Sequence, residues 1–238
     1  MMPACQRCER GAALVVALFM LIAILLLGAS AAQLALQGEK AARAERDREI
    51  AFYAAEEALM DAENDIEGSL AALERSAMFE PDGTPGFVDG CGDGTAGPNL
   101  GLCTRAADGD APAWQKIDVS DDAAGSTRSV PYGAFTGAAM QTGEGFLPFR
   151  RPRYIIEALP YTQEGEDAGP AGPAQRHFFR VTSIGFGPRE TSQVVLQSYY
   201  RKQRKVPDPG GAVLSDSGKR MNWREVANWR ELHDAANK

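Results

Sequence analysis

The stretch "ERGAALVVALFMLIAILLLGAS" (residues 9–30) decides the fold, because a short charged head gives way there to a long apolar run. No charged residue occurs between Arg10 and Glu39, which leaves 28 uncharged positions at residues 11–38. As an α-helix at ~1.5 Å per residue, the run would be roughly 42 Å long, more than the ~30 Å hydrocarbon core of a bilayer. Because Arg7 and Arg10 precede the run, the positive-inside rule predicts a cytoplasmic N-terminus and an outward-facing remainder.

A cleaved secretory signal peptide is the first alternative for this segment. Residues 29–31, Ala-Ser-Ala, have the small-x-small form of a leader peptidase site. However, the apolar run is longer than the usual signal core, and no proline interrupts the chain between Pro3 and Pro81. We therefore expect the run to be retained as a helix.

The helical pattern continues past the apolar run as an amphipathic segment. Apolar residues recur there at spacings of three and four, which marks one helix face, and they are Phe52, Ala55, Leu59, Ala62, Ile66, Leu70 and Leu73. The other faces carry acidic residues that we expect to be solvated, namely Glu56, Glu57, Asp61, Glu63, Asp65 and Glu67. The pattern predicts one near-continuous helix from Ala12 to about Leu73, with an apolar half (residues 12–38) and an amphipathic half (residues 39–75).

These segments carry a family resemblance. "RGAALVVALFMLIAILLLGASA" followed by "RDREIAFYAAEEALMDAE" (residues 46–63) is similar to the PilX group of minor pilins, within the type IV prepilin family. The resemblance implies that a prepilin peptidase cleaves the leader (residues 1–11) between Gly11 and Ala12, and that Ala12 is then N-methylated. It also implies an inner-membrane protein with a cytoplasmic N-terminus and a periplasmic domain, which later enters an extracellular pilus.

Val16 departs from the pattern of most pilins, which have a glutamate at the fifth mature residue. PilX-type proteins and the tip pseudopilin of type II secretion resemble this chain in lacking it. The resemblance therefore implies a low-copy subunit that primes assembly at or near the filament tip, supporting adhesion and twitching motility. Its implied partners are the major pilin, other minor pilins and a large tip adhesin. The alternative is that Val16 is simply one more lipid-facing residue.

The four cysteines form two unlike pairs. Cys5 and Cys8 lie in the leader, where no second pair completes a zinc site. Cys91 and Cys103 lie in the part expected to be periplasmic, where disulfides persist, and bonding them would contribute roughly 3 kcal/mol; two free thiols are the alternative. Between them, "GDGTAG" lacks the strand and helix that a dinucleotide site requires. We predict no cofactor and no metal site.

The sequence pattern after the helix, from residue 76 onward, predicts a β-sheet. Residues 76–152 are a Gly/Pro-rich variable region. Residues 153–205 hold three runs rich in β-branched and aromatic residues, "RYIIEALPY", "HFFRVTSIGF" and "SQVVLQSYYR". We expect an antiparallel sheet with one face on the amphipathic helix, hence a pilin-like α+β fold. The loop at residues 163–175 should separate the first two strands. The tail (residues 206–238) is expected to form a short helix containing Trp223, Val226 and Trp229, either packed on the domain or docking a neighbouring protein.

Composition and spacing exclude several functions. The net charge of −7 argues against a nucleic-acid partner. We expect the local basic groups to be solvated strand ends; they are Arg150, Arg151, Arg153 and residues 201–205. The two histidines, His177 and His233, have no catalytic or metal-binding spacing, so no enzyme is expected. The alternatives are a minor pseudopilin of type II secretion and, further away, a membrane-tethered periplasmic enzyme or binding domain.

Overall fold

The computed structural model of the chain describes residues 9–69, 71–79, 84–92, 97–161, 176–202, 206–207, 213–214 and 218–238. The chain divides into two units, Met1–Arg46 and Asp47–Lys238. Helix α1 (Glu9–Glu67) supplies the described part of the first unit and the first element of the second. α1 ends six residues before the predicted end at Leu73, because Gly68 adopts a left-handed φ of 103° that closes the helix.

Short elements follow α1, and four longer strands then form the body of a sheet. In chain order the elements are α2 (Leu73–Ser76), a 3-10 turn (Ala77–Phe79), β1 (Leu102–Thr104), α3 (Ala113–Lys116), β2 (Val130–Pro131), β3 (Arg153–Tyr161), β4 (Arg176–Phe186), β5 (Gln193–Arg201), β6 (Val206–Pro207), β7 (Val213–Leu214), β8 (Lys219–Glu225) and α4 (Trp229–Ala236).

The main sheet has the order β1-β3-β4-β5-β8, with β2 also pairing with β3. The three predicted strands are β3, β4 and β5, and they pair antiparallel as expected. The fold is therefore a long N-terminal helix followed by a C-terminal sheet, the predicted α+β class. The sheet is mixed rather than wholly antiparallel, because β1 pairs parallel with β3. The predicted loop at residues 163–175 lies outside the described residues.

The C-terminal tail differs from the sequence expectation. Trp223, expected in a helix, lies in β8, which pairs antiparallel with β5 and extends the sheet beyond residue 205. Val226 follows the strand, and of the three predicted helical residues only Trp229 is in α4. Pairing with the open edge of β5 outweighs the local helical pattern, since edge backbone groups gain hydrogen bonds there.

One face of the sheet, called the inner face here, packs on α1. Phe179 and Val181 of β4, with Val194 and Leu196 of β5, lie in the core that includes the buried residues of α1. The approach at Gly185 is close, because a Cβ there would lie 2.0 Å from the carbonyl oxygen of Ala51. Glycine at this position therefore lets the strand and helix backbones meet.

The opposite face of the sheet is called the outer face. A second core covers one end of it and includes Ile155, Ile184, Phe186 and Val195. Trp114 of α3 belongs to this core, while Trp229 and Leu232 of α4 pack against it. The sheet is thus buried on both faces at the end nearest α3 and α4.

Candidate functional site

The predicted processing boundary lies in the first turn of α1. The helix starts at Glu9, so the bond between Gly11 and Ala12 follows its first three residues. Residues 1–8 of the predicted leader lie outside the described residues. Cleavage at this bond and methylation of Ala12 stay predictions.

The apolar half of α1 is the most unusual surface of the chain. Its 14 large hydrophobic side chains between Leu14 and Leu36 are each 44–71% exposed. Among the described residues, one helix is long and apolar enough to cross a membrane, and it lies within Ala12–Glu67. A soluble surface rarely presents so many contiguous apolar side chains, so this segment requires an apolar environment such as lipid or neighbouring helices.

Val16 lies within this apolar half and is 55% exposed. Glu39 is the first acidic residue after it, and it accepts a hydrogen bond from Arg43 one turn later. Ser30 is a polar residue in the run, and its hydroxyl donates a hydrogen bond to the Leu26 carbonyl oxygen at 2.8 Å. Residues 12–38 therefore offer neighbouring helices a surface without charge.

The predicted apolar face of α1 contacts the sheet over most of its length. Ala55, Leu59, Ala62 and Ile66 are fully buried, and Phe52 packs against the same core while partly exposed. Leu70 lies outside the described residues. The expectation for Leu73 is wrong: it is 69% exposed in α2, because the helix has already ended at Glu67.

The acidic residues of α1 only partly match the solvated surface that we expected: Glu57 and Glu67 are exposed, whereas Asp61 and Asp65 are buried. Glu56 and Glu63 both pair with Arg220 of β8, and Glu67 accepts a hydrogen bond from the Tyr200 hydroxyl at 2.8 Å. These three carboxylates connect α1 to the C-terminal strands. Sequence periodicity assigned them to the solvent side because it could not identify partners that are far away in the chain.

Asp61 is buried on the same helix. It accepts hydrogen bonds from the Gly133 backbone N–H at 2.7 Å and from the Thr136 hydroxyl. Burial raises the pKa of the Asp61 carboxyl, although these two hydrogen bonds act in the opposite direction. Asp61 thereby fixes the loop after β2 to the helix.

Asp65 and Arg75 form a buried ion pair, with both side chains 1% exposed. The Arg75 guanidinium donates to Asp65 Oδ2 at 2.8 Å, to the Pro98 carbonyl at 2.8 Å and to the Leu100 carbonyl at 2.6 Å. The Tyr154 hydroxyl donates to the same carboxylate at 3.0 Å. Because every charged group here is hydrogen-bonded, the pair can be buried without a large unmet desolvation cost.

A disulfide joins Cys91 to Cys103. The Gly101 N–H donates to the Cys91 carbonyl at 2.9 Å, and Val88 bridges Cys103 at the edge of the sheet. The two carbonyls that Arg75 binds, those of Pro98 and Leu100, lie inside this loop. The disulfide closes this loop at its two ends, and Arg75 binds two carbonyls within it.

The basic groups only partly match the expectation of solvated strand ends. Arg153 is buried and donates to the Ser129 hydroxyl at 2.7 Å and to the Ser129 carbonyl at 2.6 Å. Burial lowers the pKa of Arg153. Arg150 pairs with Asp122 at 2.7 Å, which lowers the pKa of Asp122, whereas Arg151 is exposed.

The described end of the C-terminal tail, residues 218–238, packs on its own domain. The ring Nδ1 of His233 lies 2.7 Å from the Gln115 carbonyl oxygen, and Val226 is buried in the outer-face core. Within the described residues no group of His, Cys, Asp and Glu has the arrangement of a metal site. His177 lies half-buried in β4, apart from His233 of α4.

Comparison with known families identifies both ends of this architecture. A model of the PilX N-terminal region matches residues 10–59, the apolar half and the start of the amphipathic half of α1. A model of the type IV pilus assembly protein PilX C-terminal region matches residues 99–202, from the disulfide loop through β5. No curated protein and no solved structure matches the chain. With an exposed apolar N-terminal helix, a sheet packed on its second half, and about two thirds of its length matched by these two models, the chain belongs to the PilX family of type IV pilus assembly proteins and is a minor pilin.

Proposed function

We propose that this minor pilin is a low-copy subunit that primes pilus assembly and stays at or near the filament tip. The observation that carries the proposal is the apolar half of α1, which has no carboxylate from residue 12 to residue 38 and has Val16 where most pilins have glutamate. Adhesion and twitching motility would depend on it indirectly, through the number of filaments.

The physical argument concerns insertion of a subunit beneath an existing one. A glutamate in an apolar environment is costly unless it meets a cation, so in most pilins it favours the register in which it pairs with a neighbour's amino terminus. Val16 cannot make that pair. A subunit that enters first has no earlier amino terminus to meet, so it loses nothing by having valine there.

The rest of the proposal concerns processing and partners. Prepilin peptidase cleaves between Gly11 and Ala12, and the free amine of Ala12 is methylated. The mature chain then waits in the inner membrane with its sheet domain in the periplasm. From there it enters the filament together with the major pilin, other minor pilins and a large tip adhesin.

A deletion strain and one pair of variants test this function. Deleting the gene should sharply reduce the number of surface filaments, while the remaining shafts still consist of the major pilin. Val16→Glu should raise the copy number of this chain per filament, because the variant can make the missing pair. Val15→Glu is the matched control, since it places the same charge one position away. Unchanged filament numbers in the deletion strain would refute the priming role.

A further inference from the structure

Among the described residues, the outer face of the sheet is accessible to solvent at the end away from α3 and α4. Strand alternation places the side chains of one row there, as the stacking of Tyr161 on Phe178 and the contact between Gln197 and Arg224 show. Among the described residues this row is half-exposed or exposed. It consists of Leu159, Tyr161, Phe178, Arg180, Tyr199, Arg201, Lys219, Asn222 and Arg224.

Three cations of this row, Arg201, Lys219 and Arg224, form what we call the outer cationic patch. Arg201 of β5 lies directly opposite Lys219 of β8 in the register of the sheet. Their side chains point outward because the preceding pair, Tyr200 and Arg220, contacts the acids of α1 on the inner face.

No member of the patch has an ion pair with another described residue. Arg224 donates to the side-chain oxygen of Gln197 at 2.9 and 3.2 Å, and that amide carries no charge. The contrast is Arg180 in the same row, which pairs with the buried Glu157 at 2.7 Å. The patch therefore has three positive charges without a described counter-ion.

The closely placed positive charges of the patch do not stabilise the fold of the isolated domain. Like charges directly opposite each other on one face of an antiparallel pair destabilise it. A bound anion would relieve this repulsion, and the described residues supply none to the patch. We propose that the outer cationic patch, with Tyr199 and Asn222 between its charges, docks an acidic surface of a neighbouring pilus protein.

Two observations favour a polypeptide over a long polyanion. The whole chain carries a net charge of −7, which repels a nucleic acid or acidic polysaccharide longer than the patch. A compact acidic surface on a protein, by contrast, interacts mainly with the nearby positive charges of the patch. In addition, tyrosine and arginine are the residues most enriched among interface hot spots. The inference rests on the proposed function, because it assumes neighbours within an assembly.

Photocrosslinking in living cells tests the proposal on the full chain. A benzophenone amino acid replaces Asn222, which is exposed and pairs with Tyr199 in the middle of the row. The same probe at Trp223, one residue on and facing α1, is the positional control. We expect the Asn222 probe to link to a peptide of net negative charge from another pilus protein, and the Trp223 probe not to link to that peptide.

Charge reversal provides the second arm. Arg201→Glu with Lys219→Glu should lower the Asn222 crosslink roughly tenfold, whereas Arg151→Glu, an exposed arginine before β3, should leave it unchanged. A non-reducing gel that shows the Cys91–Cys103 disulfide in each variant verifies folding. The proposal is overturned by an undiminished crosslink, by a link to nucleic acid, lipid or polysaccharide, or by no link at all. If the chain is present in filaments but the probe finds no partner, this inference fails while the proposed function stands.

Discussion

Replacing Arg75 with alanine should destabilise the sheet domain more than any surface substitution. The change removes five hydrogen bonds at 2.6–3.2 Å: three to Asp65, and one each to the Pro98 and Leu100 carbonyls. It also leaves the Asp65 carboxylate buried with only the Tyr154 hydroxyl as a donor among the contacts described above. Breaking a buried ion pair from one side typically costs about 3–5 kcal/mol, so we expect a loss of that size in the free energy of unfolding.

The assay is urea unfolding of the full chain in detergent, followed by tryptophan fluorescence, with the slope of the transition compared between variants. Arg105→Ala is the matched control, because Arg105 pairs with Asp108 on the surface, with side chains 53% and 89% exposed. An exposed pair of this kind contributes about 0–1 kcal/mol. A loss for Arg75→Ala no larger than that of the control would refute the reasoning that Arg75 joins α1 to the disulfide loop.

Three further predictions follow from the packing. Gly185→Val should lower the free energy of unfolding by about 1–3 kcal/mol or more, since its Cβ would lie 2.0 Å from the Ala51 carbonyl oxygen; wild-type stability would contradict the close approach. Cys91→Ser should cost up to about 3 kcal/mol, and non-reducing peptide mapping of native protein should show Cys91 linked to Cys103 rather than two alkylatable thiols. Asp61 has a raised pKa in the folded state, so its contribution to stability is full below its unfolded pKa and is lost as pH rises through the folded pKa. The stability of Asp61→Asn relative to wild type should therefore improve as the pH rises above about 4, and a relative stability that falls with pH would contradict the assigned direction.

Local periodicity was sufficient to predict the elements that pack one apolar face against another. The spacing of Ala55, Leu59 and Ile66 predicted the helix face that is buried on the sheet. The β-branched and aromatic runs predicted β4 and β5, whose alternate residues Phe179 and Val194 are buried on the inner face. In each case an apolar stripe packs against an apolar face, so the local sequence pattern is enough to identify which side chains are buried.

Contacts between residues and strands that are far apart in the chain could not be predicted from the sequence. Asp65 and Arg75 are ten residues apart, and their burial depends on carbonyls of a loop more than 20 residues further on. β8 was missed for a similar reason, because its partner strand rather than its own composition determines its conformation. One signal was present at Asp65: it directly precedes Ile66 of the buried face and follows Asp61 by one helical turn, and acids so close to a core require partners.

The most direct test of the central claim is mass spectrometry of this chain recovered from sheared and purified surface filaments. Intact-mass and peptide analysis give the mature N-terminus and its methylation, and labelled standards give the copy number relative to the major pilin. The account predicts an N-methylated Ala12 as the first residue and an abundance far below that of the major pilin. A mature N-terminus near Ala32, an abundance comparable with the major pilin, or absence from the filaments would contradict it.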